Sequence, residues 1–246
     1  MDPNRVEWTL KQHFGHTGFR SGQREIVERV LEGRDQLILM PTGGGKSLTY
    51  QLPALLLPGL TVVVSPLIAL MHDQVDRLRD NGIAAAFINS SMSSQERARR
   101  EQAALRGELK LLYVAPERLL SEGFLELLDQ IKERVGLSLL AIDEAHCISE
   151  WGHDFRPEYR KIVQVRRRYP DLPVLCLTAT ATERVREDIV RQLALKDHYL
   201  HVASFNRPNL YYDVRTKDKR SFAELLGLLE EDPQAPVIVY CQSRKS

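Results

Sequence analysis

Seven short runs of apolar residues recur along the chain before residue 205, and most of them are apolar at consecutive positions. Unbroken apolar runs are typical of strands that are covered on both faces, as in a parallel sheet. The runs occupy residues 36–40, 60–65, 84–89, 109–114, 137–143, 173–178 and 198–204. We therefore predict a strand in each of them.

The segments between these runs have helical character, chiefly residues 46–57, 67–82, 93–107 and 182–195. Two of them close with a glycine, Gly82 or Gly107, at the position where a helix C-cap glycine is expected. Ser93 lies three residues before Glu96, which is the spacing of a capping box. The alternation of strands and helices predicts an α/β fold built on a doubly wound, mostly parallel sheet.

The pattern changes near residue 205. A polar, extended stretch is followed by a helical segment, and the sequence PVIVYC then begins a new apolar strand. We predict one domain over residues 1–207, a linker over residues 208–218 and the start of a second α/β domain over residues 219–246.

A glycine-rich loop, MPTGGGKS, lies between the first predicted strand and the first long helix after it. This strand–loop–helix setting is that of a P-loop, whose backbone N–H groups surround phosphate oxygens at the positive end of a helix. Lys46 would reach the β- and γ-phosphates, and Ser47 would ligate Mg²⁺. Met40 stands where the usual pattern has its first glycine. A simple glycine hinge is the alternative interpretation. The predicted phosphate-binding residues are Thr42, Gly43, Gly44, Gly45, Lys46 and Ser47.

Two adjacent carboxylates, Asp143 and Glu144, follow the apolar run LLAI. A triphosphate site needs such acids: Asp143 would hold Mg²⁺, and Glu144 would orient and deprotonate the attacking water. Alone, paired acids at a strand end could equally cap the next helix. Together with the glycine loop they predict an ATPase site.

The net charge, the cysteines and the lengths of the apolar runs limit the classes of protein that fit this sequence. The net charge is +1, from 34 Lys+Arg against 33 Asp+Glu, so a nucleic-acid partner would have to be bound by a local positive face. The three cysteines, Cys147, Cys176 and Cys241, lack a paired metal-ligand spacing, and we expect reduced thiols in a cytoplasmic protein without zinc. No run approaches the length of a membrane span.

The sequence does not determine the oligomeric state, and a monomer is the expectation.

The order of the motifs resembles the RecQ family of superfamily-2 DNA helicases. The resemblance rests on FGHTGFRSGQREIV, GGGKS, VVVSPLIALMHDQV, LLYVAPERL, DEAHCISEWGHDFRPEYR, LTATAT, SFNRPNLYYDV and VIVYCQSR, which extend over essentially the whole chain. It implies a RecA-like ATPase domain followed by a second such domain. It also implies ATP and Mg²⁺ as cofactors, single-stranded and duplex DNA as partners, and 3′→5′ translocation.

The resemblance assigns further residues. Arg20 would flank the adenine and His16 would stack on it, in a position where the family usually has tyrosine. The Gln23 amide, which is both donor and acceptor, can bind the N6/N7 edge of adenine. His146 would join the catalytic group. The predicted DNA-binding and coupling residues are Ser65, Pro66, Trp151, His153, Phe155, Arg156, Thr178 and Thr180.

These assignments compete with simpler ones. His16 and Gln23 could form a helix-entry turn, Trp151 and Phe155 could be core residues, and the threonines could cap the helix that begins near Thr182.

The motif series stops at residue 246, before the second-domain arginines that complete the ATP site in the family. We therefore expect this chain to bind ATP, to hydrolyse it slowly and not to unwind DNA processively. Two other functions stay open: a nucleotide-dependent DNA- or partner-binding module without turnover, and an RNA helicase of the DEAH or DEAD kind.

Overall fold

The computed structural model of the chain describes residues 3–89, 91–204, 206 and 210–241. It divides into two compact units, Met1–Phe205 and Asn206–Ser246. All seven predicted strands are present in the first unit and form one sheet, in which every pair is parallel. The strands are β1 Gln36–Leu39, β2 Leu60–Val64, β3 Ala85–Ile88, β4 Leu111–Val114, β5 Leu137–Ile142, β6 Val174–Thr178 and β7 Tyr199–Val202.

The helices of the first unit alternate with these strands. They are α1 Pro3–Phe14, α2 Gln23–Leu31, α3 Leu48–Leu56, α4 Ile68–Asp80, α5 Ser94–Leu105, α6 Pro116–Leu119, α7 Glu122–Arg134, α8 Pro157–Arg160, α9 Val163–Arg168 and α10 Glu183–Leu193, with a 3-10 helix at Ala145–Ile148. The predicted α/β fold with a parallel sheet is thereby confirmed.

The helix ends follow the predicted signals. Gly82 and Gly107 follow α4 and α5 with φ of 72° and 71°, a left-handed conformation that glycine adopts at little cost. Ser93 Oγ accepts from the Glu96 N–H at 3.2 Å, as in one half of a capping box, while the Glu96 carboxylate pairs with Arg100.

Two hydrophobic clusters cover the two faces of the sheet. Within β1, Leu37 and Leu39 belong to one cluster and Ile38 to the other. The same alternation holds for β2 and β5, because successive side chains of a strand point to opposite faces. Burial on both faces therefore explains why the strands are apolar at consecutive positions.

The strand order β3-β4-β2-β5-β6-β1-β7 positions the site. The strands β2, β5, β6 and β1 are direct neighbours, and their parallel register brings their carboxyl ends to one edge. Ser65, Asp143, Thr178 and the glycine loop each lie at the end of one of these strands. The carboxyl edge of an open α/β sheet is where such proteins bind ligands.

A buried ion pair fixes the opposite edge of the sheet. Arg166 Nη2 lies 2.5 Å from Asp35 Oδ2, and both side chains are almost fully buried. The Asp35 carboxylate also accepts from the N–H groups of Val174 and Lys196, each at 2.9 Å. This one side chain thus joins the chain entering β1 to the starts of β6 and β7.

The second unit contains α11, Ser221–Glu231, as the sequence predicted. The predicted strand in PVIVYC is wrong for the part that the structure describes, since residues 236–241 have no strand conformation there. A strand is stabilised by an adjacent strand, and the described part of this unit supplies a helix but no partner strand. Gln242 to Ser246 lie outside the described residues. Among the helices of the described residues, none is long and apolar enough to span a bilayer.

The buried ion pair gives a stability prediction. Arg166→Ala leaves the Asp35 carboxylate buried without its charge partner, and we expect the free energy of unfolding to fall by about 3–5 kcal/mol in urea titrations. Arg167→Ala removes the same side chain from an exposed position of the same helix and should change it by less than about 0.5 kcal/mol. Equal effects of the two variants would contradict the role given to Asp35.

Candidate nucleotide and nucleic-acid site

A cleft of about 510 Å³ opens at the carboxyl edge of the sheet. Residues from the glycine loop, the α2 entry, α4 and the end of β5 line it. Of the predicted site residues, the cleft brings together His16, Arg20, Gln23, Thr42, Gly43, Gly45, Lys46, Ser47, Asp143 and Glu144. Gly44 lies in the same loop but does not line the cleft. Lys46 and the two acids therefore face a common cavity large enough for a nucleotide.

The glycine loop has the backbone that its glycines permit. Gly43 and Gly45 have φ of 76° and 86°, in the left-handed region that residues with a Cβ rarely adopt. A Cβ on Gly45 would lie 2.2 Å from the Gln23 amide nitrogen, so a larger residue would displace this side chain. The Lys46 ammonium donates to the Met40 carbonyl at 3.0 Å, at the position where the usual pattern has its first glycine.

The predicted adenine-binding residues hold the glycine loop. Gln23 is buried, accepts from the Arg20 N–H at 2.8 Å and donates to the Gly45 carbonyl at 3.1 Å. Arg20 donates through Nη1 to the Gly43 carbonyl. The Gln23 amide thus faces protein backbone here, and binding adenine would require it to exchange these bonds. His16 is exposed at the mouth of the cleft.

The Asp143 carboxyl lies in an electrostatically unfavourable place. Its burial and then the neighbouring Glu144 raise its pKa to about 6, although the Glu144 N–H and the charge of Lys46 act in the opposite direction. A divalent cation beside it would offset this penalty. Ser47 and Asp143 offer the oxygen ligands that Mg²⁺ prefers and line the same cleft, so the residues present fit this ion.

Glu144 adopts an unusual backbone conformation, with φ of 49° and ψ of 45°. Left-handed conformations of residues other than glycine are uncommon and cluster at functional sites. His146 Nδ1 lies 3.2 Å from Glu144 Oε2, and this bond lowers the pKa of the Glu144 carboxyl. Glu144 is therefore ionised at neutral pH, as its predicted role as a general base would require.

His146 connects the acidic pair to the end of β6. Its Nδ1 also lies 2.9 Å from Thr178 Oγ1, which accepts from the Thr180 N–H at 3.2 Å. Thr182, two residues further on, caps α10 by accepting from the Val185 N–H at 3.4 Å. Thr178 is therefore hydrogen-bonded to His146 beside the acidic pair, and the residue that caps α10 is Thr182.

The segment of residues 149–156, called the aromatic loop below, follows the acidic pair. Trp151 is 55% exposed, which excludes the core interpretation for this residue, and the Arg184 guanidinium lies 3.2 Å from its ring centre. Phe155 is partly buried. The His153 ring stacks on His146 with centres 4.5 Å apart.

The aromatic loop also contacts the segment after β2. Arg156 Nη1 donates to the Pro66 carbonyl at 3.2 Å and pairs with Asp154. Ser65 is 2% exposed, and its hydroxyl has no hydrogen-bond partner among the described residues. A DNA contact by the Ser65 side chain would require this segment to move, so it stays a prediction.

Sequence reasoning missed several residues of the site. Leu70, Gln74 and Arg77 of α4 line the cleft, and their spacing of four and three places them on one helix face. The hydroxyl of Tyr159 donates to the Asp143 carbonyl at 3.0 Å, which fixes the backbone of the acidic pair. The helical spacing could have shown that the α4 residues share a face, but not that this face meets the cleft.

Comparison with known proteins extends this picture. A family model described as DEAD/DEAH box helicase matches residues 20–189. The ATP-dependent DNA helicase RecQ of Haemophilus influenzae is 45% identical over 235 residues, which are 96% of this chain and 37% of that protein. The probable ATP-dependent DNA helicase RecS of Bacillus subtilis is 45% identical, over 98% of this chain and 48% of that protein. A crystal structure of the DUF1998 helicase MrfA superposes with a TM-score of 0.70 at 19% identity, covering 100% of this chain and 40% of that chain, and shows the fold alone.

The fold and the cleft define an α/β protein with a glycine-rich loop lining a cleft at the carboxyl edge of its parallel sheet. Because the family match covers more than half of its length, the chain belongs to the DEAD/DEAH box helicase family. Within this family its sequence is similar to RecQ helicases along almost its whole length, which confirms the resemblance seen in the motifs. The chain spans less than half the length of these two relatives.

The raised pKa of Asp143 gives a prediction with a defined sign. At neutral pH the native carboxyl is ionised in an unfavourable place, so Asp143→Asn should raise the free energy of unfolding by about 3 kcal/mol. The unfolded carboxyl has a pKa near 3.8, and the gain should shrink as the pH falls through about 6 toward that value, because the native carboxyl is then neutral. Urea unfolding at several pH values measures this.

The exposed Asp171 provides the control for this prediction, since Asp171→Asn replaces a carboxylate outside the core and should change the free energy of unfolding by less than about 0.5 kcal/mol. A destabilised Asp143→Asn at neutral pH would contradict the electrostatic account.

Proposed function

We propose that this chain is the ATP-hydrolysing portion of a RecQ-type DNA helicase, which couples ATP turnover to 3′→5′ movement along DNA and to unwinding. The observation that carries the proposal is the convergence of Lys46, Ser47, Asp143 and Glu144 on one cleft. The names of the relatives, which are ATP-dependent DNA helicases, support it. A cytoplasmic, nucleoid-associated location belongs to the same proposal for a bacterial RecQ-type helicase, because a bacterial chromosome lies in the cytoplasm.

The residues of the cleft divide the chemistry among them. Backbone N–H groups of Gly43–Lys46 and the Lys46 ammonium bind the phosphates, and Gln23 and Arg20 bind the base. Glu144, ionised and oriented by His146, takes a proton from the attacking water. Mg²⁺ held by Ser47 and Asp143 supplies charge neutralisation at the phosphates when bound. With these roles filled, the cleft has the groups that ATP hydrolysis needs. The rate of hydrolysis depends in addition on positive groups that stabilise the phosphoryl group in the transition state.

Coupling to DNA follows from the bonds around His146. Its imidazole lies in contact with Glu144, Thr178 and the His153 ring of the aromatic loop. A shift of the loop on DNA binding would therefore move the group that orients the general base. Trp151 and Phe155 would stack on bases of a single strand, and Arg156 and the Pro66 segment would lie beside the backbone.

The arginines of a second helicase domain would complete the ATP site in this proposal. Such arginines contribute on the order of 10³–10⁵ in rate in other nucleotide hydrolases. We expect these 246 residues alone to bind ATP and to turn it over slowly.

Two variants separate binding from hydrolysis. Glu144→Gln keeps the shape of the cleft but removes the base, so single-turnover hydrolysis should slow by about 10²–10⁴-fold with ATP affinity retained. Lys46→Ala should lose ATP binding itself. The exposed Glu150→Gln is the matched control and should change neither quantity. Hydrolysis by Glu144→Gln at the wild-type rate would refute the role of Glu144 as the base, whereas ATP binding by the wild-type chain with no detectable single-turnover hydrolysis would favour a binding module without turnover.

The aromatic loop can be tested with its exposed tryptophan. Trp151→Ala should weaken binding of single-stranded DNA by about 1–3 kcal/mol, because one stacking platform is lost. Trp8→Ala removes an equally exposed indole from α1 and should have little effect. Fluorescence anisotropy with labelled DNA and RNA strands of the same sequence measures both. Equal losses for the two variants would contradict the role of the loop, and tighter binding of RNA would favour the RNA-helicase alternative.

A further inference from the structure

Three side chains of metal-ligating type converge beside the nucleotide cleft. His146, Cys147 and Asp154 each offer one ligand atom, and these atoms all lie within 4.8 Å of one another. Cys147 Sγ is 3.8 Å from His146 Nε2 and 3.7 Å from Asp154 Oδ2. In a tetrahedral zinc site, sulfur and its N or O neighbours are separated by roughly 3.5 Å. The two separations from sulfur are therefore close to those that a zinc ion would impose, and the His146 and Asp154 ligand atoms, at most 4.8 Å apart, would need only a small side-chain movement to bind the same ion.

The hydrogen bonds of His146 leave the correct nitrogen available. The Glu144 carboxylate can only accept, so the Nδ1 atom that lies 3.2 Å from it carries the proton and donates. Nε2 is then the unprotonated nitrogen, and it is the atom that faces Cys147. A metal-bound histidine whose other nitrogen donates to a carboxylate is the usual outer-shell arrangement in metalloproteins.

The charges of the cluster set the expected affinity. A thiolate and a carboxylate would neutralise a divalent ion. The Arg156 guanidinium, however, donates to the same Asp154 oxygen at 3.0 Å, so a metal must compete with this ion pair. The ligand set has three members, which leaves one position for water. Because it has three protein ligands and a competing ion pair, we expect this site to bind and release a metal ion reversibly.

Against the expectation from the cysteine spacing of a chain without zinc, we propose that His146, Cys147 and Asp154 form a site for a divalent transition metal, with Zn²⁺ as the best match to the sulfur, nitrogen and oxygen ligands. In its absence the Cys147 thiol donates to Asp154. When the ion binds, the thiol proton leaves to solvent and the sulfur bonds to the metal. Mg²⁺ prefers oxygen ligands and would not compete for this site.

An occupied site would inhibit the protein. Asp154 belongs to the aromatic loop, whereas His146 and Cys147 follow the acidic pair, so the ion would cross-link the loop to the group that orients Glu144. DNA binding that moves the loop would then oppose metal binding, and the two ligands would weaken each other by the same factor. This consequence rests on the proposed function of the loop; the metal site itself does not.

The site is tested with Co²⁺ as a spectroscopic probe for Zn²⁺, in the absence of nucleotide. Cys241 is exposed and Cys147 is buried, so the measurements use the 246-residue chain carrying Cys241→Ser to remove the accessible competing thiol. We expect one Co²⁺ per chain, a thiolate-to-cobalt charge-transfer band, and loss of this band when Zn²⁺ is added. Absence of the charge-transfer band would overturn the proposal.

Variants identify the ligands. Asp154→Asn should weaken Co²⁺ binding by at least about 10-fold, and Cys147→Ala should abolish the charge-transfer band. Circular dichroism checks that both variants are folded. Glu150→Gln changes another carboxylate of the same loop and should bind Co²⁺ as before. Unchanged binding in both ligand variants would overturn the assignment, and Asp154→Asn keeps it testable if Cys147→Ala fails to fold.

The inhibitory consequence has its own measurement. A single-stranded oligonucleotide should lower the affinity for Co²⁺, and this effect should be smaller for Trp151→Ala. If the band and its dependence on Asp154 are present but DNA leaves the affinity unchanged, the metal site stands and its link to the proposed coupling is refuted.

Discussion

The parallel register of four neighbouring strands is the constraint on which the rest of this structure depends. Because β2, β5, β6 and β1 are parallel and adjacent, the chain leaves each of them at the same edge of the sheet. Side chains that are more than 90 residues apart in sequence, such as Lys46 and Asp143, thereby meet in one cleft. The buried Asp35–Arg166 pair stabilises the opposite edge of the sheet, so one edge carries the cleft and the other holds the strands together.

The functional edge is assembled at a cost to stability. Asp143 is placed where its ionised form is disfavoured, and Glu144 has a left-handed backbone. Both features lie within a segment held by the His146 and Tyr159 bonds. Unfavourable charge and backbone conformation of this kind persist where the surrounding packing outweighs them, and in the proposed function they would prepare a site for a cation and a phosphate. The aromatic loop and the His146, Cys147 and Asp154 cluster adjoin the same segment, so in the proposed mechanism a change in either would reach Glu144.

Much of the first unit could be predicted because its signals are local and repeated. A strand covered on both faces must be apolar at consecutive positions, and all seven such runs are strands. The failure at residues 236–241 has the same physical basis, since an apolar run becomes a strand only when another strand pairs with it. Ser65 illustrates a second limit: its position after β2 followed from the sequence, whereas the burial of its hydroxyl depends on neighbouring segments.

The sequence alone determined the class of fold, the glycine loop, the acidic pair and the family, because each rests on residue types at short, fixed spacings. Tertiary structure alone decided which distant groups touch. It turned Gln23 toward the backbone of the glycine loop, brought the α4 face to the cleft, and placed the ligand atoms of His146, Cys147 and Asp154 within 4.8 Å of one another. Contacts of this kind depend on how helices and loops pack across a sheet edge, and packing depends on the whole chain rather than on any one stretch of it.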